Sequence, residues 1–240
     1  MSFKKTIRRS RYAMDIEEYH TARYGAPGQG RTVRKKPTPE QMAAVNRYNR
    51  VRKCRWRIRL YFDVNDCFVC LTYRREERPE GMKEAKEDFR KFIRKLRRAY
   101  KRAGKEFRWM RNIECGKRNA WHIHLLVNRI PDIDILIREY WQKGTVRMQL
   151  LYSDGEFRKL AAYITKTPET DSRLQEADYS ASRNMPLSDP EEKIYHKWKT
   201  WGKVRIPAGW YLDKETLVEG TNPITGYRYR RYTLLKVRRE

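Results

Sequence analysis

The chain has 240 residues, 39% of them hydrophobic, enough for one sizeable domain with extensions or for two small ones. Its 56 lysines and arginines against 30 aspartates and glutamates give a formal net charge of +26, and the isoelectric point lies near 10.1. Such a charge points to a polyanionic partner, nucleic acid before membrane; a mean hydropathy of −0.98, with no apolar run near the roughly 20 residues a spanning helix needs, argues against a membrane chain.

Residues 1–52 mix basic runs (KKTIRR, RTVRKK) with GAPGQG and PTPE and show no sustained periodicity. They are expected to form a basic N-terminal arm or linker. The opening MSFKKTIRRSRYAM is charged but has no apolar segment behind it, so it does not read as a signal peptide, and a cytoplasmic location is expected. GAPGQGRT imitates a phosphate loop, with Arg31 where the lysine belongs. That motif needs a strand before it and a helix after it, and the preceding EEYHTARY is no apolar strand.

Residues 53–170 read as one ordered domain. WRIRLYFD and CFVCLTYR have the composition of strands. MKEAKEDFRKFIRKLRRAYKRAG places Ala85, Phe89, Ile93, Leu96 and Tyr100 at three- and four-residue steps, an amphipathic helix with a basic outer face ended by Gly104. FRWMRNIE and AWHIHLLVN are strands joined through the short CGKRN, hence an antiparallel hairpin. PDIDILIREYWQKG is a helix, TVRMQLLY a strand, and EFRKLAAYITK a helix stopped near Pro168. Strands interleaved with helices in this order predict an α+β fold, a central antiparallel sheet with helices packed on it. Residues 171–240 are aromatic and basic, with turn signals at PAGW and NPITG, and are expected to form a small extension packed on that domain.

Within AWHIHLLVN, residues two apart share a face, with Cα atoms roughly 6.5 Å apart. Trp121, Ile123, Leu125 and Val127 would then anchor a core, while His122 and His124 project from the other face. Glu114, on the preceding strand, would reach the histidines' face if the hairpin register allows. Two imidazoles and a carboxylate leave coordination positions open, as catalytic metal sites do. Polar residues on the solvent side of a strand are also common, so the pattern is a candidate and no more. In LAAYITK, Tyr163 and Lys166 stand three apart on the predicted helix and so on one face. A free tyrosine titrates near pH ~10, and an adjacent cation lowers that value or holds an attacked phosphate. Cys67 and Cys70 form C-x-x-C inside a strand, where an offset of three puts the sulfurs on opposite faces, a poor geometry for one metal; reduced thiols are expected.

FVCLTY (68–73), WHIHLLV (121–127) and YITK (163–166), in this order, resemble the motifs of the HUH endonucleases, which include rolling-circle replication initiators, conjugative relaxases and related transposases. The resemblance covers roughly residues 55–168. YSASRNMP, WGKVRIPAGWYL and NPITGYRYRRYTL are similar to the tails of small initiators from plasmids and phages of Gram-positive bacteria. The resemblance implies His122 and His124 as metal ligands with Glu114 as the third, Tyr163 as nucleophile and Lys166 as its helper. It also implies Mg²⁺ or Mn²⁺ as the cofactor, since the ligand types alone do not choose. The tyrosine follows the histidines, as in initiators and single-tyrosine transposases. Thr167 stands where many phage-type initiators carry a second tyrosine.

The expected activity is nicking and joining of single-stranded DNA at a replication origin through a 5′-phosphotyrosine, in the cytoplasm of a bacterial host. Host helicase and polymerase would be partners, because no helicase motif accompanies the nuclease motifs. The basic helix near residues 83–102 and the aromatic tail would hold DNA, with Thr72 and Arg74 as candidate strand contacts. Two rivals stand beside this reading: a single-tyrosine transposase or relaxase, and a non-enzymatic nucleic-acid-binding module. The second explains the charge and the aromatics, but not H-x-H, a neighbouring glutamate and Y-x-x-K together.

Overall fold

A computed structural model describes residues 3–20, 36–151, 157–196, 201–222 and 227–237. The architecture is α+β, with two five-stranded antiparallel sheets and helices packed on sheet faces. The chain divides into two compact units: residues 1–49, 154–156 and 187–240, and residues 50–153 and 157–186. GAPGQGRT lies outside the described residues. No helix among those described is long and apolar enough to cross a membrane.

In the first unit, β1 (Phe3–Arg9) and β2 (Ala13–His20) come from the stretch read as a basic arm. They join β8 (Glu191–Tyr195), β9 (Trp210–Thr221) and β10 (Arg228–Lys236) in the order β8-β1-β2-β10-β9. Ile7, Met14, Ile16, Tyr232 and Leu234 make its core. Glu18 and Arg230 are both buried, and the pair is joined by two contacts at 2.6 and 2.7 Å.

The second unit holds β3 (Cys67–Thr72), β4 (Trp109–Gly116), β5 (Ala120–Val127), β6 (Val146–Leu150) and β7 (Leu174–Ala181), ordered β6-β3-β5-β4-β7. One sheet face is covered by α2 (Met82–Arg102) and α3 (Ile133–Tyr140). Ala85, Phe89, Ile93, Leu96 and Tyr100 of α2 pack there on Val69, Leu71, Ile113, Trp121, Ile123, Leu125 and Val127, as their spacings predict. Gly104, at φ +63°, takes the left-handed conformation that ends α2. The opposite face is partly covered by the second half of α1 (Pro39–Tyr61) and by α4 (Arg158–Ile164).

WRIRLYFD, expected as a strand, is instead the last turns of α1 and the residues just after it. Trp56, Ile58, Leu60 and Phe62 alternate as a strand would, but Cys54, Ile58 and Phe62 also recur every four residues, and these three are the buried ones. Leu60 is exposed. The helical period wins because it gathers the apolar side chains against Met110 and Leu126 of the sheet. The segment 174–181, in the stretch read as C-terminal extension, is the strand β7 that pairs with β4.

Candidate functional site

The geometry begins with a hairpin. β4 and β5 pair so that Glu114 faces His122 and Asn112 faces His124. Residues directly opposed across an antiparallel pair share a face. The register therefore puts Glu114 on the histidines' side, away from the Trp121–Val127 core. One face of two strands thus presents a carboxylate and two imidazoles. The candidate ligand atoms of Glu114, His122 and His124 all lie within 4.8 Å of one another. Glu114 Oε2 is 2.9 Å from His122 Nε2 and 3.5 Å from His124 Nε2.

Glu114 is 0% exposed, and its charge is balanced locally. Lys166 Nζ approaches Oε2 at 2.9 Å, and the Asn112 amide donates to Oε1 at 2.9 Å. Burial pushes the carboxyl up, but the bonds from His122, His124 and Lys166 outweigh it and hold the group down at about 2. Burial also depresses His124, against the pull of Glu114. His124 is therefore biased toward the neutral imidazole that a metal needs. Its Nδ1 is buried with no hydrogen-bond partner in the structure. The donor set, two neutral-imidazole nitrogens and an ionised carboxylate, fits a divalent cation, and Glu114, His122 and His124 are the residues that would hold one.

Tyr163 sits on the last turn of α4, 41% exposed, with its hydroxyl 3.1 Å from His124 Nε2. Phe68 of β3 stacks on His124, with ring centroids 5.7 Å apart, and meets Tyr163 edge-on at 6.0 Å. The phenol is thereby fixed in direction while its ring stays accessible. Lys166, expected on the same helix face, is placed differently. The helix ends at Ile164, and Lys166 lies two residues beyond it. The Thr165 hydroxyl bonds back to the Ala161 carbonyl at 2.7 Å, and the Asn112 amide donates to the Lys166 carbonyl at 3.0 Å. That turn swings the Lys166 ammonium over the Tyr163 ring, 4.2 Å from its centroid, and 3.8 Å from Asp171 Oδ2. Burial raises the Tyr163 phenol and Lys166 lowers it, with a net upward direction, so the resting group is protonated.

Of the candidate strand contacts, Thr72 lies on the histidine face of β3, across from His122. Its hydroxyl donates to the Thr145 carbonyl at 3.3 Å and accepts from the Thr145 amide at 3.1 Å. Gly144 makes this approach possible, since a Cβ there would collide with the Thr72 carbonyl. Arg74 donates to the Gln142 carbonyl at 2.7 Å and lies 3.4 Å from Glu76, outside the cluster. All four cysteines are free thiols; Cys67 is in the core, and Cys70 sits on the other face across from His124.

Three residues of the cluster are not among those the sequence singles out. Asn112 was legible as the i−2 neighbour of Glu114 on the same strand face. Phe68 and Asp171 carry no local signal, because only the tertiary pairing brings them in.

A family model described as replication-associated protein, of the ORF2 type, matches residues 66–168, the span from just before β3 to just beyond Lys166. No curated protein and no solved structure matches the chain. The match makes the chain similar to Rep-type replication-associated proteins and supports a role in DNA replication, with DNA as partner.

Proposed function

We propose that the chain is an HUH-type endonuclease of the single-tyrosine class that nicks and rejoins single-stranded DNA to initiate rolling-circle replication. The observation that carries this reading is the 3.1 Å approach of the Tyr163 hydroxyl to His124, beside Glu114 and His122. A non-enzymatic binding module has no need for a half-exposed phenol held at a buried carboxylate and two imidazoles. The family match supports the replication half of the reading, and the cluster supports the chemistry.

A divalent cation held by Glu114, His122 and His124, with Mg²⁺ or Mn²⁺ favoured, supplies charge neutralisation at a phosphoryl oxygen. The chain's own residues do the rest. Tyr163 Oη forms a bond to the scissile phosphorus while the bond from phosphorus to the 3′ oxygen breaks. The phenol's proton ends, in net balance, on the released 3′-hydroxyl, and the 5′-phosphate stays on Tyr163. Lys166 stabilises negative charge on the phenolic oxygen both during attack and when the tyrosine later leaves. Since a phenolate is a better leaving group than an alkoxide, another 3′-hydroxyl can reverse the link, which suits rejoining. Phe68 and the α4 turn orient the ring so that attack needs little rearrangement.

Incubation with single-stranded oligonucleotides of a candidate origin and Mn²⁺, followed by a denaturing gel, tests this. The wild-type protein is expected to give a covalent protein–DNA band, and Tyr163→Phe at least ~10³-fold less of it, since the phenylalanine has no nucleophile. An adduct that survives in Tyr163→Phe would assign the chemistry elsewhere, and no adduct with any origin strand would favour the binding module.

A further inference from the structure

We propose that a groove along the outer side of α2 is a second binding site for single-stranded DNA, on the sheet face opposite the histidine cluster. The groove encloses about 620 Å³ between α2, Trp109 of β4 and Ser180 of β7. Cations line both its floor and its rim, but only those of the floor are neutralised.

On the floor, the buried Arg111 lies over the Phe89 ring and bonds to the Asp178 carboxylate, which also holds Lys86. Those two cations are met within the fold. On the rim, Arg90, Lys91, Arg94 and Arg97 are exposed, and among the described residues none has a carboxylate within ion-pair distance. Arg90, Arg94 and Arg97 follow Lys86 at four-, four- and three-residue steps, so the four form one row about 16 Å long on one side of the helix. Like charges at these spacings repel and weaken a helix slightly. A fold that neutralises the inner pair and leaves the outer row bare is built for an external polyanion.

The ring beside the row decides which polyanion. Trp109 is half-buried in the groove and held edge-on by Phe89 at 5.2 Å, leaving part of its surface toward the cavity. A cationic track beside an aromatic ring is the arrangement that binds unpaired strands, the phosphates on the cations and a base on the ring. A groove walled by one helix and one sheet edge admits a single phosphodiester chain, whereas a duplex would touch the outer rim alone. Ser180 of the groove and Ala177, on the cluster's side, both belong to the edge strand β7. The two sites therefore meet at one edge of the sheet, and a strand engaged at the cluster can continue round it. The choice of DNA as the single strand rests on the proposed nicking function; the groove's charge and shape do not.

The test is binding of a long fluorescent oligothymidylate, read by anisotropy without divalent cation and in the Tyr163→Phe background, so that no cutting enters. The variant is Arg90→Gln/Arg94→Gln/Arg97→Gln, because glutamine keeps helix propensity. About tenfold weaker binding is expected, with the salt slope reduced by about 2, at ~0.7 for each phosphate no longer neutralised. Trp109→Ala should weaken binding about fivefold or more, with Trp109→Phe recovering most of it. Unchanged affinity in the triple variant overturns the site. So does an equal loss for duplex DNA, which would make the row a duplex surface, or for polyglutamate, whose displacement would mark a non-specific anion sink. Absence of a covalent adduct in the wild type would overturn the nicking function and leave this binding result standing.

Discussion

At Glu114 the electrostatics of the cluster are decided by one oxygen atom. Oε2 faces His122, His124 and Lys166, whereas Oε1 is held by Asn112. A cation taken up by the triad would share Oε2 with the Lys166 ammonium, so the carboxylate's charge matters more than its shape. Glu114→Gln is nearly isosteric and removes that charge. Titration calorimetry with Mn²⁺ should then give heat too weak to fit, while Asn112→Ala, which only frees Oε1, should weaken binding roughly 10–100-fold. Equal affinities in wild type and Glu114→Gln would rule out the triad as a metal site. Much of the cluster was legible in the sequence because period-two spacing along two adjacent strands assigns faces directly. Lys166 was harder: a three-residue offset from Tyr163 implied a helix, but Thr165 closes α4 first, and the ammonium arrives through a turn whose path no periodicity encodes.

At the scale of elements, the docking of β7 onto β4 rests on a charged contact as well as on backbone bonds. Ile113 pairs with Asp178, whose carboxylate serves both Arg111 and Lys86. Burial raises the Asp178 carboxyl, but its bonds to those two cations lower it further, so its net direction is below the ordinary 3.8. A depressed carboxyl stabilises the fold at pH above its unfolded value and loses that contribution as pH falls through the folded one. The protein should therefore lose thermal stability below about pH 3.8, and Asp178→Asn should be less stable at neutral pH and show a shallower acid limb. Melting curves from neutral pH to about pH 2 would check this; parallel curves for the two proteins would deny Asp178 the role. β7 itself was hard to foresee, since LQEADYSA alternates poorly. The same difficulty hid β1 and β2: FKKTIRR and AMDIEEYH carry charge at positions that become buried, among them Glu18, whose partner Arg230 lies 212 residues away. Pairing that distant cannot be read from a local window. The helix α2 could be read because its apolar stripe is unbroken and its terminating glycine stands close behind it.

Over the whole molecule, a formal charge of +26 makes affinity for nucleic acid and chemistry on it separable properties. Affinity comes from counterions released when lysines and arginines meet phosphates, and needs no bound metal. Chemistry, in the proposed function, needs the three ligands of the cluster occupied. Removing divalent cations with a chelator should therefore abolish the covalent adduct while leaving oligonucleotide affinity within about threefold, because the phosphate contacts are made by side chains. Raising salt should do the opposite. For about six phosphate contacts, going from about 50 mM to about 200 mM should weaken single-strand binding by two to three powers of ten. Adduct formation at saturating DNA should then change little, since the cluster is largely buried and poorly screened. Anisotropy and denaturing gels on one set of samples would give both readouts. If the chelator released the DNA as completely as it stopped the chemistry, the cation would be holding the strand, and the basic surface would be a solvated face without a ligand.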